Sequence, residues 1–277
     1  MSKRADLHTH TTASDGLFSP EINVRMAKEA GLAAIAITDH DTVAGVEEAI
    51  AAGERFGVAV VPGVELGSST RGQDIHVLGY GVSLDDPAWL ERLRGLREAR
   101  NRRNEQILHK LKALGMPVSA EELAGAAGKS DRKDKSVGRP HIAQALVDKG
   151  YANDLREAFD RWLGEGRPAY AAQQRVSPEE AIAWIREAGG VAIIAHPGIY
   201  GDDRLSLSLA ELADGIEAYH SDHAPEQERQ YAEWAAAKGK LATGGSDFHG
   251  IRDGAAYHGA IGSRSVDAAI VGRLFGG

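Results

Sequence analysis

The stretch LAAIAITDHDTVAG, Leu32 to Gly45, holds the pattern on which the fold turns. A short apolar run, Ala34–Thr38, breaks into Asp39-His40-Asp41, and a helical pattern follows over Val43–Phe56. A strand that delivers polar side chains into the turn before a helix is one unit of an α/β fold. The turn itself reads in two ways. Either Asp39 is a nucleophile, or His40 binds a metal ion with the two aspartates in support.

Working outward, the same unit recurs. Further strand patterns lie at Ala5–Thr9, Val58–Pro62, Asp74–Tyr80, Val191–Ala195, Gly215–Tyr219 and Lys240–Thr243. Helical patterns fall between them at Pro20–Ala30, Pro178–Ala188, Leu207–Ala213 and Pro225–Lys238. Ser19-Pro20-Glu21 and Ser177-Pro178-Glu179 each supply a Ser N-cap, Pro in the first turn and an early acid. Alternation of β and α predicts a mainly parallel sheet with helices outside. Seven strands suit closure, so the expected fold class is an α/β, TIM-like (β/α)7 barrel.

The rhythm breaks in the middle of the chain. From about Trp89 to Arg175 only helical patterns occur, at Trp89–Leu114, His141–Lys149 and Leu155–Leu163, with the polar stretch GKSDRKDKSVGRP among them. The expected organisation is a barrel from residues 1–88 and 176–277, with a helical insertion, 89–175, capping the active site. This insertion is basic: Arg92 to Lys149 carries fourteen Lys and Arg against seven Asp and Glu, in a chain whose formal charge is −8. A local positive field of that kind attracts an anionic ligand.

Composition narrows the class. With 43% hydrophobic and 26% charged residues the chain reads as a soluble globular protein. No apolar run approaches the roughly 20 residues that span a bilayer. No apolar signal region follows Met1-Ser2-Lys3-Arg4, so the expected location is cytoplasmic. No membrane association and no obligate protein partner are expected. The absence of cysteine excludes disulfides, thiolate ligands and a cysteine nucleophile.

In α/β barrels the functional side chains gather at the C-terminal ends of the strands. Here those ends carry His8, His10 and Asp15; His40; Glu65; His196; His220; and Asp247 with His249, while His76 lies within the fourth strand. Seven of the eleven histidines lie in or just after strands. Imidazoles and carboxylates converging from separate strands make a polynuclear nitrogen and oxygen site. His8 and His10 alternate by two and so point the same way, which lets both bind one ion. Nearly ten ligands exceed the needs of one ion, so two or three divalent ions are expected. The donor set favours Mn²⁺, with Fe²⁺ or Zn²⁺ as alternatives.

Taken in order, DLHTHTTASDG, ITDHDT, GVE, IHVLGY, AHPG and GGSDFHG resemble the motifs of the PHP (polymerase and histidinol phosphatase) family, from Ala5 to about Gly262. The resemblance implies a distorted seven-stranded barrel and a centre of two or three metals. It assigns one ion to His8, His10, Glu65 and Asp247, and a second to Asp15, His40 and His249. A third shares Glu65 and adds His76 and His196. His220 and His223 fall outside the motifs. The insertion, with GRPHIAQALV, is similar to the small-phosphatase branch. Members of that branch take the 3′-phosphate from nucleoside 3′,5′-bisphosphates, and some trim 5′-phosphorylated RNA ends.

The expected partner is therefore a small anionic nucleotide or a short RNA end. The resemblance implies Arg139 and His141 as phosphate-binding groups, with Arg102 and Arg103 as further candidates. Arginine suits phosphate because its fork of donors matches two oxygens. Attack by a metal-bound hydroxide needs no covalent intermediate. His196 or His220 is the candidate acid for the leaving oxygen.

Rival readings make different demands. Asp39-His40-Asp41-Thr42-Val43 satisfies D-x-D-x-[TV], the nucleophile loop of haloacid dehalogenase-like phosphatases. That chemistry also needs a later acidic pair after a strand, and the candidate, Gly201-Asp202-Asp203, follows His-Pro-Gly-Ile-Tyr rather than a strand. A metal-dependent amidohydrolase or deaminase would usually add a lysine near the fourth strand, and none occurs from Arg55 to Arg100. Histidinol phosphate is the competing phosphomonoester. An inert scaffold would have lost ligands, and no expected ligand position is empty.

Overall fold

The computed structural model describes residues 3–126, 134–252 and 254–275. Each apolar run forms a strand: β1 (Arg4–Asp6), β2 (Ala34–Ile37), β3 (Ala59–Thr70), β4 (Gln73–Tyr80), β5 (Val191–Ile194), β6 (Gly215–His220) and β7 (Leu241–Gly245). They pair in sequence order, and Val266–Asp267 adds a short antiparallel strand beside β1. The barrel closes between β7 and β1. Leu7 N–H donates to Gly244 O at 3.1 Å, and beyond it Asp247 N–H donates to His8 O at 2.9 Å. Gly245 permits this seam: a Cβ there would stand 2.4 Å from the His8 backbone nitrogen.

The alternation in β2 shows why the chain layers as it does. Ala34 and Ala36 face the barrel interior with Ala5, Leu7, Val61 and Ile193. Ile35 and Ile37 face outward against Val24 and Ala27 of α1 (Pro20–Glu29) and Val46 and Ala49 of α2 (Val46–Phe56). In β2 the small residues face the lumen and the large ones join sheet to helix. Burying each isoleucine contributes about 1.5–3 kcal/mol.

The sheet departs from the expected parallel order at β3–β4. β3 runs on to Thr70, past the expected end at Pro62, so Glu65 lies within a strand rather than after one. A two-residue turn, Arg71 (φ 52°) and Gly72 (φ 82°), reverses the chain, as type I′ hairpins require. β4 therefore pairs antiparallel with both β3 and β5.

The insertion opens with α3 (Pro87–Ala113), and continues through α4 (Ala120–Ala126), α5 (Arg139–Asp148), α6 (Leu155–Ala158) and a π-helical turn, Phe159–Leu163. Trp89, Leu93 and Leu96 of α3 pack in the barrel core. Ile107 and Leu111, farther along the same helix, pack with Ile142, Leu146 and Leu163 in a separate cluster. Part of the polar stretch, Gly128–Lys133, lies outside the described residues. Its continuation is pinned over the barrel mouth: Thr42 Oγ1 donates to Asp134 O at 2.8 Å, and Ser136 N–H donates to Ala13 O at 2.9 Å.

Chain return to the barrel runs through α7 (Pro178–Glu187), α8 (Asp203–Leu212) and α9 (Pro225–Lys238). Helix α8 starts four residues before the expected Leu207, because Asp202 caps it by accepting from Leu205 N–H at 2.9 Å. No helix among the described residues is long and apolar enough to cross a membrane.

Candidate metal centre

The nine sequence-predicted ligands meet at one mouth of the barrel. His8 and His10, on the extension of β1, both direct Nε2 at Asp247 Oδ1, 3.2 Å from each. Glu65 Oε2 completes this group, 3.6 Å from His8 Nε2 and 3.3 Å from His10 Nε2. A second group forms around Asp15, whose carboxylate lies 3.6 Å from His40 Nε2 and 3.4 Å from His249 Nε2. Glu65 Oε1 faces a third, with His76 Nδ1 at 2.8 Å and His196 Nε2 at 3.0 Å. Glu65 thus stands between two groups. His40 Nδ1, 2.9 Å from Glu65 Oε2, touches it from the remaining side.

The donor atoms fit divalent cations. His8 Nε2, His10 Nε2, His40 Nδ1 and Asp247 Oδ1 are buried without a hydrogen-bond partner. Atoms so placed carry a desolvation cost that a cation removes. Among the described residues one four-residue and four three-residue sets, each with ligand atoms within 4.8 Å of one another, overlap across the centre. Oxygen and imidazole nitrogen without sulfur suit first-row divalent ions.

Electrostatics point the same way. Burial opposes protonation of His10, but the adjacent Asp247 and Glu65 carboxylates outweigh it and raise its pKa to about 10. His8 is likewise raised, against burial, by Asp247, Glu217 and Glu65. Burial pushes the Asp15, Glu65 and Asp247 carboxyls up, yet the surrounding imidazoles hold all three well below their ordinary range. Positive charge is held strongly here, whether as protons or as metal. His196 differs: burial drives it down to about 4, leaving a neutral ring suited to ligation.

The remaining expectations fall unevenly. His220 is fully buried, with Nε2 3.4 Å from Asp247 Oδ2, and does not line the open cleft. Asp39 and Asp41, expected to support His40 by orienting its ring or a water, make no direct hydrogen bond to the ring. Asp39 instead accepts from Thr11 N–H, Thr11 Oγ1 and Ser14 Oγ, which fastens the β1 turn. Asp41 accepts from Gly67 N–H and from Arg100. Of the acidic pair weighed for the aspartyl-phosphate reading, Asp202 caps α8 and Asp203 accepts from Tyr231 Oη.

Over the metal groups opens a cleft of about 200 Å³. Arg139 and Arg103 line it; Arg102 does not and is exposed. The helix explains this: positions three apart share a face, adjacent ones do not. His141 lies behind the cleft wall, where its Nδ1 accepts from Gly138 N–H at 3.0 Å and caps α5. Burial lowers its pKa to about 4, so the ring is neutral and Nε2 is left as a donor.

Four residues of the site went unread in the sequence. Arg100 and Arg175 line the cleft with Arg103 and Arg139. His258 also lines it, with Nδ1 2.5 Å from Asp222 Oδ2 and Nε2 3.6 Å from Asp247 Oδ2. Glu217, wholly buried, lies 3.1 Å from His8 Nδ1. The three-residue spacing of Arg97, Arg100 and Arg103 was an available signal for the first, and a charged residue inside the apolar strand GIEAYH for the last.

Barrel and ligand groups together define a metal-dependent hydrolase. The PHP domain family matches residues 6–188. A 3′,5′-nucleoside bisphosphate phosphatase of Chromobacterium violaceum is 35% identical over 90% of this chain and 88% of its own length. A 5′-3′ exoribonuclease of Haemophilus influenzae is 34% identical over 90% of this chain and 91% of its own. Among solved structures, a metal-dependent phosphoesterase of Bifidobacterium adolescentis superposes with a TM-score of 0.87 at 30% identity, over 98% of this chain and 94% of that one. The chain belongs to the PHP family. It is a metal-dependent phosphoester hydrolase.

Proposed function

We propose that the enzyme removes the 3′-phosphate from nucleoside 3′,5′-bisphosphates, with two or three divalent ions, Mn²⁺ first among them. The observation that carries this reading is the arginine wall beside the metal ligands. Arg103 Nε and Arg175 Nη1 are buried without hydrogen-bond partners. Burial, then the charges of Arg100, Arg139 and Arg175, pull the Arg103 guanidinium well below its ordinary pKa. Arg100 is paired with Asp41, and Asp74 is shared by Arg175 at 3.1 Å and Arg139 at 3.4 Å, so two carboxylates face four guanidiniums. A second phosphate supplies the missing negative charge, and a substrate with only one phosphate leaves it unsupplied.

His8, His10, Asp15, His40, Glu65, His76, His196, Asp247 and His249 would hold the ions, which when bound would supply Lewis acidity toward water and the phosphoryl oxygens. His258, oriented by Asp222 and open to the cleft, is placed to give its Nε2 proton to the leaving oxygen. It is better placed for this than the neutral His196 or the enclosed His220. Leu17, Ile199 and Tyr257 line the rest of the cleft with apolar surface suited to a nucleobase.

A second reading, removal of nucleotides from short 5′-phosphorylated RNA, uses the same arginines and draws support from the exoribonuclease relative. With Mn²⁺, phosphate release from a nucleoside 3′,5′-bisphosphate and from histidinol phosphate, and mononucleotide release from a short 5′-phosphorylated RNA, test these readings side by side. Turnover should be highest on a nucleoside 3′,5′-bisphosphate; highest turnover on histidinol phosphate would overturn the substrate assignment.

A further inference from the structure

Glu217 is a carboxylate at the metal centre that, unlike Glu65, Asp15 and Asp247, does not face the cleft. It is completely buried. A carboxylate in that position is costly unless its oxygens are paired. Both of its oxygens approach His8 Nδ1, at 3.1 and 3.2 Å, and Oε2 also accepts from His196 N–H at 2.8 Å. One side chain therefore touches two histidines that belong to different ligand groups.

Two backbone irregularities serve these contacts. His196 sits at φ 26°, ψ 56°, in the left-handed region that costs a non-glycine residue on the order of 1–3 kcal/mol. The His196 amide is the group that Glu217 pins. The register between β6 and β7 also slips between Glu217 and Tyr219, so β6 carries a bulge. In a regular strand residues 217 and 220 would point to opposite faces. Here Glu217 reaches His8 while His220 Nε2 comes within 3.4 Å of Asp247 Oδ2. Bulges beside active sites re-aim side chains in this way.

We infer that Glu217 is a positioning residue that couples the two groups. It holds the proton of His8 on Nδ1, so that Nε2 is presented to the cation shared with His10, Glu65 and Asp247. Through the His196 amide it fixes the turn that brings His196 Nε2 to Glu65. Such carboxylate–histidine pairs fix tautomer and ring orientation, and their loss typically costs about 10–100-fold in metal affinity. This inference rests on the reading of the cluster as a metal centre.

The test is Glu217→Gln, which keeps the volume but leaves one accepting atom in place of two. Mn²⁺ binding by equilibrium dialysis should weaken about 10–100-fold. With Zn²⁺ as a diamagnetic probe, the hydrogen-bonded Nδ1–H resonance of His8 in ¹⁵N-histidine-labelled protein should move or vanish. His249→Ala, as a control, should weaken metal binding and leave that resonance in place. Wild-type Mn²⁺ affinity in Glu217→Gln would overturn the proposal. So would weakened affinity with an unmoved His8 resonance and a lowered melting temperature of the chelated protein, since that marks a merely structural carboxylate. If Glu217→Gln does not fold, Glu217→Asp is measured in its place, with the same readings. Wild-type protein that binds no metal would refute the metal centre instead.

Discussion

Arg100 and Asp41 form a buried ion pair that joins the insertion to the turn carrying His40. Arg100 Nε lies 3.1 Å from Asp41 Oδ2, and Nη2 lies 2.5 Å from the same oxygen. Neither side chain is more than 7% exposed. Removing one partner strands the other charge, a loss of about 3–5 kcal/mol. Arg100→Met should therefore unfold at markedly lower urea than wild type, and Arg100→Met/Asp41→Asn should recover much of the difference. Equal stability of the single and double variants would show that the pair does not carry the stability.

His40 and Asp39 separate the two chemistries that the turn allows. His40→Ala should lose bound Mn²⁺ and reduce phosphate release at least about 100-fold, the scale of losing a group that supports metal catalysis. Acid-quenched mass spectra of wild type during turnover should contain no phosphoenzyme. A phosphate adduct that disappears in Asp39→Asn would restore the nucleophile reading.

Gly67 makes room for the arginine wall. A Cβ at this position would stand 2.8 Å from Arg175 Nη1, and the Arg100 guanidinium is close behind. Gly67→Ala should displace Arg175 and raise KM for a nucleoside 3′,5′-bisphosphate about 10-fold or more, the scale of one charged hydrogen bond. The kcat value should change little. Unchanged KM would place the second phosphate elsewhere.

Metal binding should release protons. In chelated protein His10 holds its proton up to about pH 10 and His8 well above its ordinary pKa, so a cation entering at pH 7 displaces both. Calorimetry in two buffers of different ionisation enthalpy should give different apparent enthalpies, with net release to the buffer. Affinity for Mn²⁺ should rise with pH between 6 and 9. Identical enthalpies would mean the imidazoles are already neutral.

His141 gives a pH dependence of the opposite origin. Burial lowers its pKa from 6.5 to about 4, so the unfolded chain binds this proton more tightly than the folded one. Its contribution to stability is full above about pH 6.5 and is lost as pH falls toward 4. Compared with wild type, His141→Asn should show a shallower fall in melting temperature across that window. Parallel pH profiles would assign the acid sensitivity to other groups.

Much of the barrel was legible because strand and chemistry coincide in the sequence. Runs such as AIAIT end directly in a ligand, so the same letters report both a strand and its working end. The β3–β4 reversal was harder to see, since it depends on positive φ at Arg71 and Gly72. Glu217 was hidden for a different reason. A period-two reading puts it on the face opposite His220, and only the bulge brings both to the centre. The arginine wall joins Arg100 and Arg103 on α3 to Arg139 and Arg175, which lie on separate segments. Helical spacing identifies the first two and dismisses Arg102, but nothing local announces Arg175.

Helix α3 has 27 residues, about 40 Å at the rise of an α-helix. Its first half is locked into the barrel by Trp89, Leu93 and Leu96, and Arg100 and Arg103 follow on the same rod. The position of these two guanidiniums relative to the metal ligands is thus set by one continuous, doubly anchored piece of backbone rather than by a hinge. If the substrate is a nucleoside 3′,5′-bisphosphate, such a rod would gauge it by the separation of its two anionic groups.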